Sequence, residues 1–126
     1  DHPDFADHLF WVHYANGTFM TNGMMQLVLA MGEPQNPAPA LFVEDRANRG
    51  WEQVEARLGE AEFLGGRQLT LADILMVYAL TTGRMFRGRT LDGLPNIAAY
   101  LQRIGARPAY QRAWAKCEPA MPPQLT

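Results

Sequence analysis

Apolar residues recur along most of this chain at intervals of three or four, the period of a helix rather than a strand. Within Asp4–Met31, Phe5, Leu9, Val12, Phe19 and Gly23 fall on one stripe, which Asn16 completes. Phe10, Tyr14, Met25 and Val28 form a second stripe on the same rod. Two apolar faces predict a long helix covered on more than one side. Gly17 and Gly23 weaken it and mark either a bend or a close approach by another backbone. The stretch GEPQNPAPA, Gly32 to Ala40, holds three prolines and reads as a stiff connector. Ala47, Trp51, Val54, Leu58 and Ala61 then form one face of an amphipathic helix spanning roughly Leu41–Glu62. Its solvent face carries Glu44, Asp45, Arg49, Glu52 and Arg57.

Leu64-Gly65-Gly66 ends that helix. Thr70 and Asp73 follow, polar residues set immediately before a long apolar run. Thr-x-x-Asp is the pattern of a capping box, with Asp doing the work more often done by Glu or Gln. Leu69 and Ile74 are placed to form the accompanying hydrophobic staple. Asp73 also puts a negative charge in the first turn, where the helix dipole favours it. This helix runs to about Gly83. RMFRGRTLDG reads as a basic loop or a frayed helix end. Pro95 opens another helix with the stripe Ile97, Leu101 and Ile104, and Gly105 ends it. Pro108 opens a last short helix carrying Tyr110, Ala113 and Trp114, ahead of the irregular tail EPAMPPQLT. No strand pair or internal repeat is visible. The pattern predicts an all-α bundle of about five helices.

Composition narrows the function classes. A chain of 126 residues is the size of one domain with a sizeable core. With 48% hydrophobic and 19% charged residues it is not a disordered segment. A formal net charge of −2, with both signs interspersed, argues against a nucleic-acid surface. No apolar run approaches the ~20 residues of a membrane span. The single Cys117 excludes an internal disulfide and fits a reducing, cytoplasmic setting. No basic-then-apolar leader opens the chain, and without an initiator Met, Asp1 need not be the native start.

Three motifs in order, FWVHYANGTFM, GGRQLTLADI and ARPAYQRA, resemble the C-terminal helical domain of cytosolic glutathione S-transferases of bacterial type. The resemblance covers nearly the whole chain. It implies a single helical domain over residues 1–126, with residues 1–3 as the remnant of an interdomain linker and 118–126 as the tail. It also implies that the Thr70–Asp73 helix crosses the domain core and that Asp73 is structural. A complete transferase of this kind begins with a thioredoxin-like domain that binds most of the glutathione and carries the Tyr, Ser or Cys acting on its sulfur. Nothing in this chain matches that domain, so no residue here is expected to be catalytic, and the chain alone is expected to be inactive.

The resemblance implies two contributions from the helical half: the pocket for an apolar electrophile, and part of a homodimer interface. His13, Gly17, Met20 and Met24 share one face of the first helix, with Thr21 at its edge. By resemblance this face points into the interdomain cleft, and His13 contacts glutathione of the partner subunit. Methionine suits a pocket for varied apolar ligands, but it is equally a gap-filler of cores. His13 fits an ordinary solvated histidine as well. Trp51 and Trp114 read as packing anchors and Cys117 as an inert small residue. His2, His8 and His13 lack the spacing of a metal site. Arg84, Arg87 and Arg89 suit either an anion contact or a solvated helix end. The alternative to a transferase half is a stand-alone helical module for protein–protein contacts, without catalysis.

Overall fold

The computed structural model describes residues 2–32 and 35–126. Asp1 and residues 33–34 of the proline connector lie outside the described residues. The helices are α1 (Phe5–Tyr14), α2 (Met20–Ala30), α3 (Ala38–Glu60), α4 (Leu71–Tyr78), α5 (Pro95–Gly105) and α6 (Pro108–Cys117). A π-helical turn, Ala15–Phe19, joins α1 to α2 without a break, and a second, Ala79–Gly83, prolongs α4. Counted as continuous rods, these make the expected bundle of five. The described residues contain no strand, only an isolated antiparallel bridge between Phe63 and Gly66.

The π turn changes which face of the first rod is buried. Uninterrupted 3.6-residue periodicity places Phe5, Leu9, Val12 and Asn16 in line with Phe19. The buried line is instead Trp11, Ala15, Phe19 and Asn22, while Phe5 and Leu9 are 61% and 44% exposed. A π turn accommodates one extra residue and so advances the phase of everything before it relative to everything after. Gly17 lies within that turn. A Cβ at Gly17 or Gly23 would meet nothing within 4 Å, so neither glycine serves a close backbone approach. The close approaches to this rod come from its neighbours: an added Cβ at Gly50 of α3 would lie 3.4 Å from Phe19, and one at Gly65 would lie 3.4 Å from the His8 backbone.

The core lies where the two rods and α3 meet α5. Tyr100, Leu64, Met76, Leu80, Ile97 and Leu101 are fully buried within it. Each such side chain contributes about 1.5–3 kcal/mol by leaving water. Polar ties then fix how the helices cross. Glu55 of α3 accepts the first free backbone N–H groups of α5, from Asn96 at 2.8 Å and Ile97 at 2.9 Å, and so caps that helix with a negative charge. Arg57, expected in solvent, instead folds back to donate to Asp7 of α1 at 2.6 Å and to the Leu64 carbonyl at 3.1 Å. Beyond α6 the tail has no regular structure, yet Leu125 packs on the core and Trp114 Nε1 donates to the Met121 carbonyl at 2.6 Å.

The start of α4 carries the reciprocal capping box. Asp73 Oδ2 accepts the Thr70 N–H at 2.8 Å and the Thr70 hydroxyl at 3.1 Å. Its Oδ1 accepts the Leu64 N–H at 2.9 Å and the Tyr100 hydroxyl at 3.1 Å. Burial, and then the adjacent Asp73 carboxylate, push the Tyr100 phenol far above its ordinary pKa, so it stays a donor at any physiological pH. Ile74, the expected staple partner of Leu69, is 60% exposed, while Leu69 packs partly buried against the core. The turn feeding this cap requires Gly66, whose φ is +124° and where an added Cβ would sit 2.6 Å from the Asp4 carboxyl.

Thr70→Ala should cost about 1 kcal/mol through the lost cap. Asp73→Ala should cost about 3 kcal/mol or more, since it strands several buried donors at once. Gly66→Ala should cost about 1–3 kcal/mol from backbone strain alone. Equilibrium denaturation checks the ranking, with Asp73→Ala expected to be the most damaging of the three.

Candidate functional site

A cavity of about 580 Å³ opens between α2, the first half of α3 and the segment from Tyr78 to Arg89. Phe19, Met20, Leu27, Trp51 and Phe86 give it apolar walls. Phe19 and Trp51 pack ring to ring at 5.3 Å on its inner side. Asn22, buried on α2, contributes an amide to its lining. Its volume is that of a pocket for a small organic molecule.

Of the residues expected to share a site, Met20 and Met24 line this cavity, Met20 half-buried and Met24 exposed at its edge. His13, Gly17 and Thr21 lie outside it. His13 is exposed in the last turn of α1. Gly17 faces open space in the π turn. Thr21 is exposed, and its hydroxyl donates to the Asn16 carbonyl at 2.9 Å, across the widened turn. The two methionines thus line the cavity while the other three positions do not; His13 and Gly17 lie before or within the π turn, and Thr21 sits on α2 beside Met20 but outside the cavity lining.

The chemistry that the periodicity left undecided lies in the basic segment. Arg84 is only 8% exposed. Its guanidinium donates to the carbonyls of Arg89, at 3.0 Å, and Gln124, at 3.2 Å, and also to Thr126. It therefore clasps the loop and the tail together, and burial lowers its pKa from the ordinary arginine value. Arg89 is half-buried. Its guanidinium lies 4.7 Å over the Trp51 ring and donates to Asn48 Oδ1 at 2.9 Å. Burial, then the nearby Arg87, lower its pKa, and Glu52 opposes them. The sequence carried a signal for this: three arginines in six residues, 84–89, with no carboxylate before Asp92. Trp51 is a packing anchor, as expected, but one whose face a cation also uses.

A second hollow, of about 230 Å³, lies between the start of α1 and the Gly65–Thr70 turn, lined by His2, Asp4, His8 and Gln68 among others. The buried His8 Nδ1 has no partner there. Among the described residues no group of three or more His, Cys, Asp or Glu is placed to hold a metal. Cys117 is a free, exposed thiol. No described helix is long and apolar enough to cross a membrane.

The fold and the cavity define an all-helical domain with an open apolar pocket. Residues 19–108 match the protein family described as "Glutathione S-transferase, C-terminal domain", and the chain belongs to that family. Among solved structures it is similar to a glutathione S-transferase from Actinobacillus pleuropneumoniae, with a TM-score of 0.80 over 99% of this chain at 22% identity. At that identity the likeness shows the fold. This chain spans 58% of the length of that protein.

Gly17→Ala should raise stability by about 0.5–1 kcal/mol, since the site has room and alanine favours helix. His13→Ala should change it by less than about 0.5 kcal/mol. Melting temperatures of both variants, taken with circular dichroism, check these values.

Proposed function

We propose that this chain is the helical half of a glutathione S-transferase and that its cavity receives the apolar electrophile. The carrying observation is the pocket itself: flexible Met20 and Met24 set beside fixed aromatic walls suit apolar bodies of varied shape. In this reading glutathione is the co-substrate, held mainly by a further domain of the same polypeptide. That domain would lower the thiol pKa. The thiolate would attack an electrophilic carbon seated in the cavity, forming a C–S bond as the leaving group departs with its electron pair. His13, Gly17 and Thr21, on the exposed side of the first rod, are the positions proposed to face glutathione or the second subunit.

Two exposed apolar faces support this division of labour. Helix α4 is apolar on nearly every side, the pattern of a helix buried all round. Its outer stripe, Leu71, Ile74 and Tyr78, nonetheless lies open, at 51%, 60% and 55% exposure. Phe5, also exposed, lines the small hollow together with Thr70, the residue before this helix. This face suits docking of the glutathione-binding domain. A second open face, with Met25 and Val28 on α2 and Leu41 and Phe42 on α3, suits the homodimer interface. The free thiol of Cys117 agrees with work in the cytoplasm.

The isolated chain should conjugate glutathione to chlorodinitrobenzene no faster than the uncatalysed reaction; turnover above that rate would overturn the proposed division of labour. The native polypeptide, sized by mass spectrometry from its source cell, should exceed 14.1 kDa by about one small domain. A native mass equal to that of this chain would favour a stand-alone interaction module. Ile74→Glu should leave the stability of the isolated chain within about 0.5 kcal/mol of wild type, yet disrupt the full-length protein, as read by limited proteolysis.

A further inference from the structure

The electrophile pocket has an electrostatic character that an apolar pocket does not need. Arg84, Arg87 and Arg89 all line it, against the single carboxylate of Glu44. Arg89 is the informative one. It is half-buried, its guanidinium carbon lies 4.7 Å over the Trp51 ring, and its one side-chain hydrogen bond among the described residues goes to a neutral amide, Asn48. No carboxylate lies within 4 Å of it among the described residues. A guanidinium carries five N–H donors, so several of this one remain unused. A partly desolvated cation with unused donors is held at a cost, and an anion that reaches it recovers that cost with charge-assisted hydrogen bonds. Arg84 adds to the positive potential; its two terminal nitrogens donate to main-chain oxygens, while its buried Nε has no partner among the described residues. Arg87 is exposed, and its side chain makes no hydrogen bond among the described residues, so it is free to turn toward the cavity mouth. Packed aromatics, two methionines and a guanidinium held over Trp51 in one hollow match a small molecule with an apolar body and one negative end.

We propose that the cavity selects electrophiles bearing an anionic head, a carboxylate or sulfonate on an apolar aromatic body, with Arg89 paired to the head and Arg87 assisting at the mouth. This rests on the electrophile-pocket reading and deepens it by naming the substrate class. Its place over Trp51 and its bond to Asn48 hold the Arg89 fork, so little side-chain freedom is lost when a planar carboxylate engages it. Glu44, on the same wall, disfavours ligands with a second negative charge nearby.

Two fluorescent probes with the same body separate the pocket from the selectivity: anilinonaphthalene sulfonate, and uncharged phenylnaphthylamine. Both are titrated into the 126-residue chain, with stoichiometry from calorimetry. The expected result is one site per chain, with the sulfonate bound about 10-fold more tightly than the neutral probe, as one charge-assisted pair supplies. Arg89→Gln should abolish that advantage while changing the neutral probe less than about twofold. Arg87→Gln, which removes no hydrogen bond of the fold, should weaken the sulfonate about threefold. Arg112→Gln, on exposed α6, should change neither probe. Equal affinity for both probes in the wild-type chain would overturn the selectivity and leave the pocket standing. Loss of both probes alike in Arg89→Gln and Arg87→Gln would overturn it too. Several sulfonate sites per chain, insensitive to Arg89→Gln, would place the probe on the exposed apolar faces and overturn the proposal. A wild-type chain that binds neither probe would overturn the pocket reading itself.

Discussion

One buried carboxylate organises this domain. Asp73 is inaccessible to solvent, and its two oxygens accept from the N–H and hydroxyl of Thr70, the N–H of Leu64 and the phenol of Tyr100. Those partners lie on three separate parts of the chain: the turn after α3, the start of α4, and the middle of α5. A buried charge is tolerated only where hydrogen bonds replace its water. The carboxylate therefore holds all three segments at one distance and orientation. The apolar groups around it, Leu64, Met76 and Leu101 among them, pack against a frame already set by this polar knot. Glu55 plays a lesser version of the same role at the start of α5.

That frame also positions the cavity. Helix α4 leaves the Asp73 knot, passes through the core, and widens into a π turn before Arg84. The chain then folds back, so that Arg89 reaches Asn48 and Trp51 on α3. The clasp of Arg84 on the loop and tail keeps that return in place. The pocket thus joins a rigid floor, Phe19 and Trp51, to a wall fixed by arginine hydrogen bonds rather than by packing. Arg84 shapes the loop by holding main-chain oxygens of the loop and tail, and Arg89 rests over Trp51 with donors to spare.

The local signals in the sequence translated well where they depend on nearest neighbours. Thr70-x-x-Asp73 gave the helix start because both partners of a capping box lie within one turn of each other. Pro95 and Pro108 each open a helix, since proline lacks the N–H that a first turn leaves unpaired. Periodicity failed along the first rod for an equally local reason. A π turn costs one residue of phase and leaves no mark on a 3.6-residue count, so Phe5 and Leu9 were aligned with a core they do not join. The expected grouping of His13 and Gly17 with Met20 and Met24 spans that same turn. Arg57 and Arg84 look in sequence like solvated charges. Their acceptors are a carboxylate and main-chain carbonyls from distant segments.

By itself, the sequence determined the helical class, the element order, the cap at Thr70 and Asp73, and a chain of one domain's size. All of these follow from interactions spanning at most a few turns. Only the tertiary structure decided which face of the first rod is buried, where a cavity opens, and that Arg89 rests on Trp51 facing it. Those outcomes depend on contacts between residues some forty positions apart and on a phase shift within a helix. Spacing along the chain records neither, because it fixes neighbours within a turn and leaves open which turns come to lie side by side.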